Sequence, residues 1–150
     1  MRPLVGIAAV LIALCGTARA QAVDYELKTY PESPVVFAGD NARTPAPGVP
    51  RRQFVTIQSE APKTVSAVIL QQTITRGQKT EIVAIERVAI VMAPREKKRI
   101  SFAVSDMSAK LQADAQAGEA PVRPVLAVVA VEFIDDSQWN APTGPGAGHP

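Results

Sequence analysis

VSAVILQQTITRGQKTEIVAIERVAIVM, residues 65–92, holds two long runs rich in β-branched residues on either side of a short polar break. The first run, Val65 to Ile74, follows the turn residues Glu60-Ala61-Pro62-Lys63. The break, Arg76-Gly77-Gln78-Lys79, has the composition of a hairpin loop. The second run, Glu81 to Met92, also has a helical reading, with Ile82, Ile85, Ala89 and Met92 at i, i+3, i+7 and i+10. Six of its twelve residues are Ile or Val, however, and Val83, Ile90 and Val91 fall off that stripe. Stiff β-branched side chains favour a strand. Its one charged interruption, Glu86-Arg87, is where this strand is expected to bend.

The pattern extends outward in both directions. Phe54 to Gln58 reads as a short strand. Arg99 to Ser105 alternates, with Ile100, Phe102 and Val104 inward and Arg99, Ser101 and Ala103 outward. Val125 to Ile134 is apolar on both faces until Glu132, which marks a central strand. Between these last two, Ser108 to Gln116 is Ala-dense and predicts a short helix. Ser105 or Asp106 is its cap, Met107 and Leu111 share one face, and Gly118, Pro121 and Pro124 end it. Upstream, residues 21–52 are Pro-rich, with β-type pieces at Val23 to Tyr30 and Val35 to Ala38. Val23, Tyr25 and Leu27 share one side of the first piece. Asn41 to Pro50 reads as a loop or stiff linker. Many short strands, few helices and frequent turn signals predict an all-β fold. The expected form is an immunoglobulin-like β-sandwich without a disulfide, spanning 53–139, with one short helix between late strands. The Gly/Pro tail, 140–150, is expected to be disordered.

The first twenty residues read as a secretory signal. Arg2 supplies the positive start, Leu4 to Leu14 the apolar run, and Ala18-Arg19-Ala20 the cleavage site, leaving Gln21 first. An eleven-residue run spans about 16 Å as helix, short of the ~30 Å hydrocarbon core, so a membrane span is not expected. Cys15 raises the alternative of a lipidated cysteine, but bulky Leu14 stands where such processing takes a small residue. The whole chain has 16 basic and 14 acidic residues. Removal of Arg2 and Arg19 balances the charges and argues against a nucleic-acid partner. The only cysteine departs with the leader, and the only histidine, His149, lies in the tail. Disulfides, Cys/His zinc sites and histidine-based catalysis in the core are thereby excluded. The expected location is periplasmic or secreted.

The stretch Phe54 to Val104 contains Lys63-Thr64-Val65-Ser66-Ala67-Val68, then a long strand, then Val91-Met92-Ala93-Pro94-Arg95-Glu96-Lys97-Lys98 and another strand. It resembles bacterial extracytoplasmic Ig-like modules of the CARDB (cell-adhesion-related) type. This sequence departs from them in having Arg95 where they usually have Gly and in lacking an Asp-Gly hairpin after Leu70. The resemblance covers about a third of the processed chain. It implies a binding or structural role outside the cytoplasm and no catalytic residues.

Individual residues carry competing readings. Ser66 with Lys63 has the composition of a Ser-Lys dyad but reads more simply as turn and strand surface. Asp135 and Asp136, followed by Ser137 and Asn140, offer oxygens to calcium; adjacent acids before Ser fit a turn better. Arg95, Lys97, Lys98 and Arg99 form a local basic cluster, either a solvated, edge-protecting loop or a site for an anionic polymer. Trp139 either closes one end of the sandwich or serves as an exposed recognition aromatic. Neither a cofactor nor a metal is expected, and a glycosidase would need paired carboxylates in a cleft, for which no acid is patterned. The expectation is a non-enzymatic exported domain acting on an envelope protein partner, the alternative a carbohydrate- or polymer-binding module.

Overall fold

In a computed structural model, residues 22–39, 44–45, 51–116 and 123–142 are described. The proposed leader and most of the proposed tail lie outside them. The strands are β1 (Glu26–Lys28), β2 (Val35–Phe37), β3 (Thr44–Pro45), β4 (Arg52–Ser59), β5 (Val65–Arg76), β6 (Lys79–Met92), β7 (Lys97–Ala103), β8 (Val125–Phe133) and β9 (Gln138–Asn140); α1 (Asp106–Gln116) lies between β7 and β8. The described chain is all-β in two sheets, a sandwich with one short helix. In the first sheet β8 is central. It pairs antiparallel with β5 on one side, while parallel β1 and antiparallel β9 share its other side; β6 lies outside β5. In the second sheet β4 is central, with β7 on one side and β2 and β3 on the other. The chain changes sheet at 29–34, at 60–64, at 93–96 and through α1.

Alternation drives the packing. β4 buries every second residue, Gln53, Val55, Ile57 and Ser59, and β7 answers with Ile100 and Phe102. From the first sheet Val65, Val68, Leu70, Leu126, Val128 and Val131 close the core, and Val23 and Tyr25 join it from the N-terminal piece. The Tyr25 ring meets Phe102 edge-on, centroids 5.3 Å apart. Each fully buried aliphatic contributes roughly 1.5–3 kcal/mol, and this apolar layer works without sulfur bridges.

Two glutamines complete it. Gln53 takes the Val23 N–H on its Oε1 (2.6 Å) and donates its Nε2 to the Val23 carbonyl (3.0 Å), acting as a side-chain substitute for a neighbouring strand. That explains why β1 is only three residues long although Val23 and Tyr25 point inward as expected. Gln72 Oε1 accepts from the Tyr25 hydroxyl (2.7 Å) and the Ser105 N–H (3.1 Å), while its Nε2 donates to the Ala103 carbonyl (2.6 Å). Ser105 is the helix cap, its Oγ accepting the Ser108 N–H at 3.0 Å. α1 therefore begins two residues before the expected Ser108.

Three expectations are corrected. β6 does not bend at Glu86-Arg87, which sit in regular ladder; its irregularities against β5 fall between Gln72 and Thr73 and between Val65 and Ala67. Within the stretch read as loop or linker, Thr44–Pro45 pairs with β4, because Phe54 and Gln53 leave an open side there. Asn140, placed in the tail, belongs to β9. The break at Arg76–Lys79 is a hairpin as expected, and its loop has two residues. Gly77 has φ 60° and Gln78 does not have positive φ, the mark of a type II′ turn.

Three outcomes follow for stability. Gly77→Ala meets no atom within 4 Å, so it costs only the backbone strain, about 1 kcal/mol. Gln72→Leu strands a hydroxyl, an amide and a carbonyl and costs about 3 kcal/mol or more; urea denaturation of both variants checks the order. Burial pushes the Tyr25 phenol up to about 12. The unfolded phenol releases its proton near pH 10, so the folded state holds the extra proton between 10 and 12. Stability therefore falls as pH rises through that window, and Tyr25→Phe flattens the fall, measured as melting temperature against pH.

Candidate interaction surface

Val65 pairs with Met92 on one side and Phe133 on the other. The connections 60–64, 93–96 and 134–137 therefore gather at one end of the sandwich. Asp135, in the last of them, accepts from the Ser137 N–H (3.0 Å), from the Ser137 hydroxyl and from Lys63 Nζ (3.0 Å). Lys63 also reaches Ser137 Oγ at 2.5 Å and lies 4.8 Å from the Phe133 ring centre. The carboxylate is thus the knot of a turn, tying β8–β9 to the β4–β5 connection. The Ser137 hydroxyl, then Lys63, hold its pKa down to about 2. Asp136 is exposed and takes φ 65° at the turn. Among the described residues no three metal-ligating side chains cluster.

The four basic residues do not converge. Arg95 sits at the tip of the β6–β7 turn with φ 66°, its N–H on the Ser59 carbonyl at 3.0 Å. Lys97 and Arg99 alternate onto the exterior of the second sheet, where Arg99 lies 4.2 Å from the Phe54 ring centre. Lys98 turns the other way, donating to the Val91 carbonyl at the edge of β6 and pairing with Glu96 at 3.5 Å. Trp139 stands opposite Val131 in β9, half-buried against the core.

The sequence reading did not anticipate what β6 exposes. Among the described residues β6 pairs with β5 alone, so no described strand covers its other side, where Lys98 binds the Val91 carbonyl. Ile82, Ile85 and Val91 are 56%, 62% and 66% exposed. Glu86, on the inward side, accepts from Arg52 (2.9 Å) and the Ala103 N–H (2.8 Å), bridging the two sheets. Beside it a groove of about 660 Å³ opens between Val83 and Ala84 of β6 and the Ala103–Met107 corner. On the outer face Arg87 crosses β5 to Glu132 with contacts of 2.5–3.2 Å. Aliphatic side chains left in water on an unpaired strand mark a binding surface or an aggregation hazard.

The chain matches no protein-family model, no curated protein and no solved structure.

The Asp135 knot is testable by titration. Ser137→Ala removes the largest stabiliser of the carboxylate and raises its pKa toward the ordinary Asp range, more than Lys63→Ala does. Carboxyl carbon shifts followed by NMR measure both. The wild-type knot holds above the unfolded Asp pKa and is lost as pH falls toward 2.

Proposed function

We propose that this chain is an exported, non-enzymatic Ig-like domain that acts by docking onto protein in the bacterial cell envelope, with β6 as its docking element. The observation that carries the reading is the free edge of β6, with Ile82, Ile85 and Val91 each more than half exposed. Strand addition to such an edge supplies main-chain hydrogen bonds, and the exposed aliphatics add selectivity. The Ig-like assignment draws on the pairings β4 with β7, β5 with β8, β8 with β9 and β6 with β5. These correspond to B–E, C–F, F–G and C–C′ of that plan. The CARDB-type resemblance points the same way. The leader of residues 1–20 and a processed chain free of cysteine support delivery to an oxidising compartment.

The alternative, a carbohydrate- or polymer-binding module, would use a flat exposed aromatic platform. None of the four Phe, two Tyr and one Trp is exposed, so this reading has no support from the aromatic residues. An enzyme is not proposed.

The test uses intact cells. A photo-reactive side chain at Ile82 gives a discrete adduct in the envelope fraction, and the same group at Lys110, exposed on α1, does not. Equal adducts at both positions, no adduct at Ile82, or a chain that stays in the cytosol with its leader attached would contradict the reading.

A further inference from the structure

A guanidinium carries five N–H donors and makes its strongest bonds to carboxylates. Arg51, Arg52, Arg87 and Arg123 each have one, in Asp106, Glu86, Glu132 and Asp24. Arg76, the last residue of β5, has no acidic partner among the described residues. Its Nη2 donates instead to the thioether of Met107, in the first turn of α1, at 3.3 Å from Sδ. A thioether is a weak acceptor, so this contact uses little of what the guanidinium offers. Asp106, next to Met107, is already taken by Arg51. Across the hairpin Arg76 faces Lys79, a like charge.

The methionines differ in access. Met1 lies in the proposed leader and Met92 is 0% exposed, whereas Met107 is 36% exposed and lines the groove beside Val83 and Ala84. Oxidation of a thioether needs access to sulfur, and its polar product disrupts a site that is dry. Met107 offers the access and has a wet surrounding; Met92 has neither. The oxygen that oxidation adds is a strong acceptor placed against a charged donor, so a weak N–H···S contact becomes a charge-assisted N–H···O bond. Arg76 and Met107 are both exposed, and small rotations of either side chain make room for the added atom.

We propose that Met107 is a site of oxidation by hydrogen peroxide and that Arg76 holds its sulfoxide, clasping the first turn of α1 to the base of the β5–β6 hairpin. A sulfur lone pair attacks one peroxide oxygen, and the S–O bond forms as the O–O bond breaks. The proton of the transferred hydroxyl passes to the departing hydroxide, which leaves as water. Sulfur is oxidised by two electrons and the peroxide reduced by two. The usual consequence of methionine oxidation is loss of packing; at this position the sign is reversed, because the sulfur lies in water beside a donor that has no better acceptor.

The chain, purified as the cell processes it, is treated with dilute hydrogen peroxide and followed by peptide mass spectrometry. Met107 gains its oxygen about ten-fold faster than Met92, or more. The melting temperature of the treated chain then rises by about 2 °C or more. In Arg76→Ala, Met107 is oxidised as well, but the melting temperature does not rise. In Met107→Leu peroxide leaves it unchanged, which assigns the shift to this sulfur. Each variant is compared with itself before and after treatment, so the cost of the substitution cancels. Equal rates at Met92 and Met107, a melting temperature that does not rise in the wild type, or the same rise in Arg76→Ala or Met107→Leu would overturn the proposal. None of these measurements involves the edge of β6, so the docking reading stands or falls apart from them.

Discussion

Gln72 lies under both ends of the fold that no ladder reaches. Its one carbonyl oxygen receives the Tyr25 hydroxyl and the Ser105 amide, and its amide nitrogen binds the Ala103 carbonyl. The N-terminal piece, the end of β7 and the cap of α1 therefore meet at one buried side chain, 2% exposed. A polar group so placed would be costly without partners. With them it fixes where the chain leaves the second sheet and enters the helix. Gln53 does the same for Val23 at the other side of Tyr25. Among the described residues no buried side-chain nitrogen or oxygen lacks a hydrogen-bond partner. With a single cysteine in the whole sequence no internal disulfide can form, and the fold depends on this kind of fixation together with its apolar layer.

The strands legible in the sequence are those in which burial and alternation agree. Arg99 to Ser105 placed Ile100, Phe102 and Val104 on the core side, and Val125 to Ile134, apolar on both faces, is the central strand of its sheet. Gly77 marked its turn because a two-residue hairpin demands positive φ. What escaped has a common physical cause, since it is decided by partners distant in sequence. β9 exists because β8 has an open flank beyond β1, and nothing in Gln138-Trp139-Asn140 announces that. Gln53 and Gln72 read as ordinary strand residues, and only the approach of Val23, Tyr25 and Ser105 makes them knots. Burial on one side against exposure on the other was likewise invisible in Ile82, Ile85 and Val91, whose hydrophobicity suggests a core strand.

The candidate residues separate by the same logic. Asp135 is held by Ser137 and Lys63 at the end of the sandwich, and Trp139 packs from β9 against the core. Arg95, Lys97, Lys98 and Arg99 spread over a turn, an exterior face and an edge, with Lys98 bound to the Val91 carbonyl near the end of β6. Charge and bulges protect edge strands from unwanted pairing. β6 has both, with Glu86 and Arg87 at its middle, and still leaves Ile82, Ile85 and Val91 in water.

The claim that the two glutamines lock the unladdered ends to the core has a direct measurement in native-state hydrogen exchange. The amides of Val23 and Ser105 belong to no strand pairing and bond only to Gln53 and Gln72. If the lock holds, both exchange as slowly as the central amides of β5 and respond to denaturant with the same slope. Exchange of Val23 and Ser105 at the rate of an unstructured peptide, with β5 still protected, would contradict it.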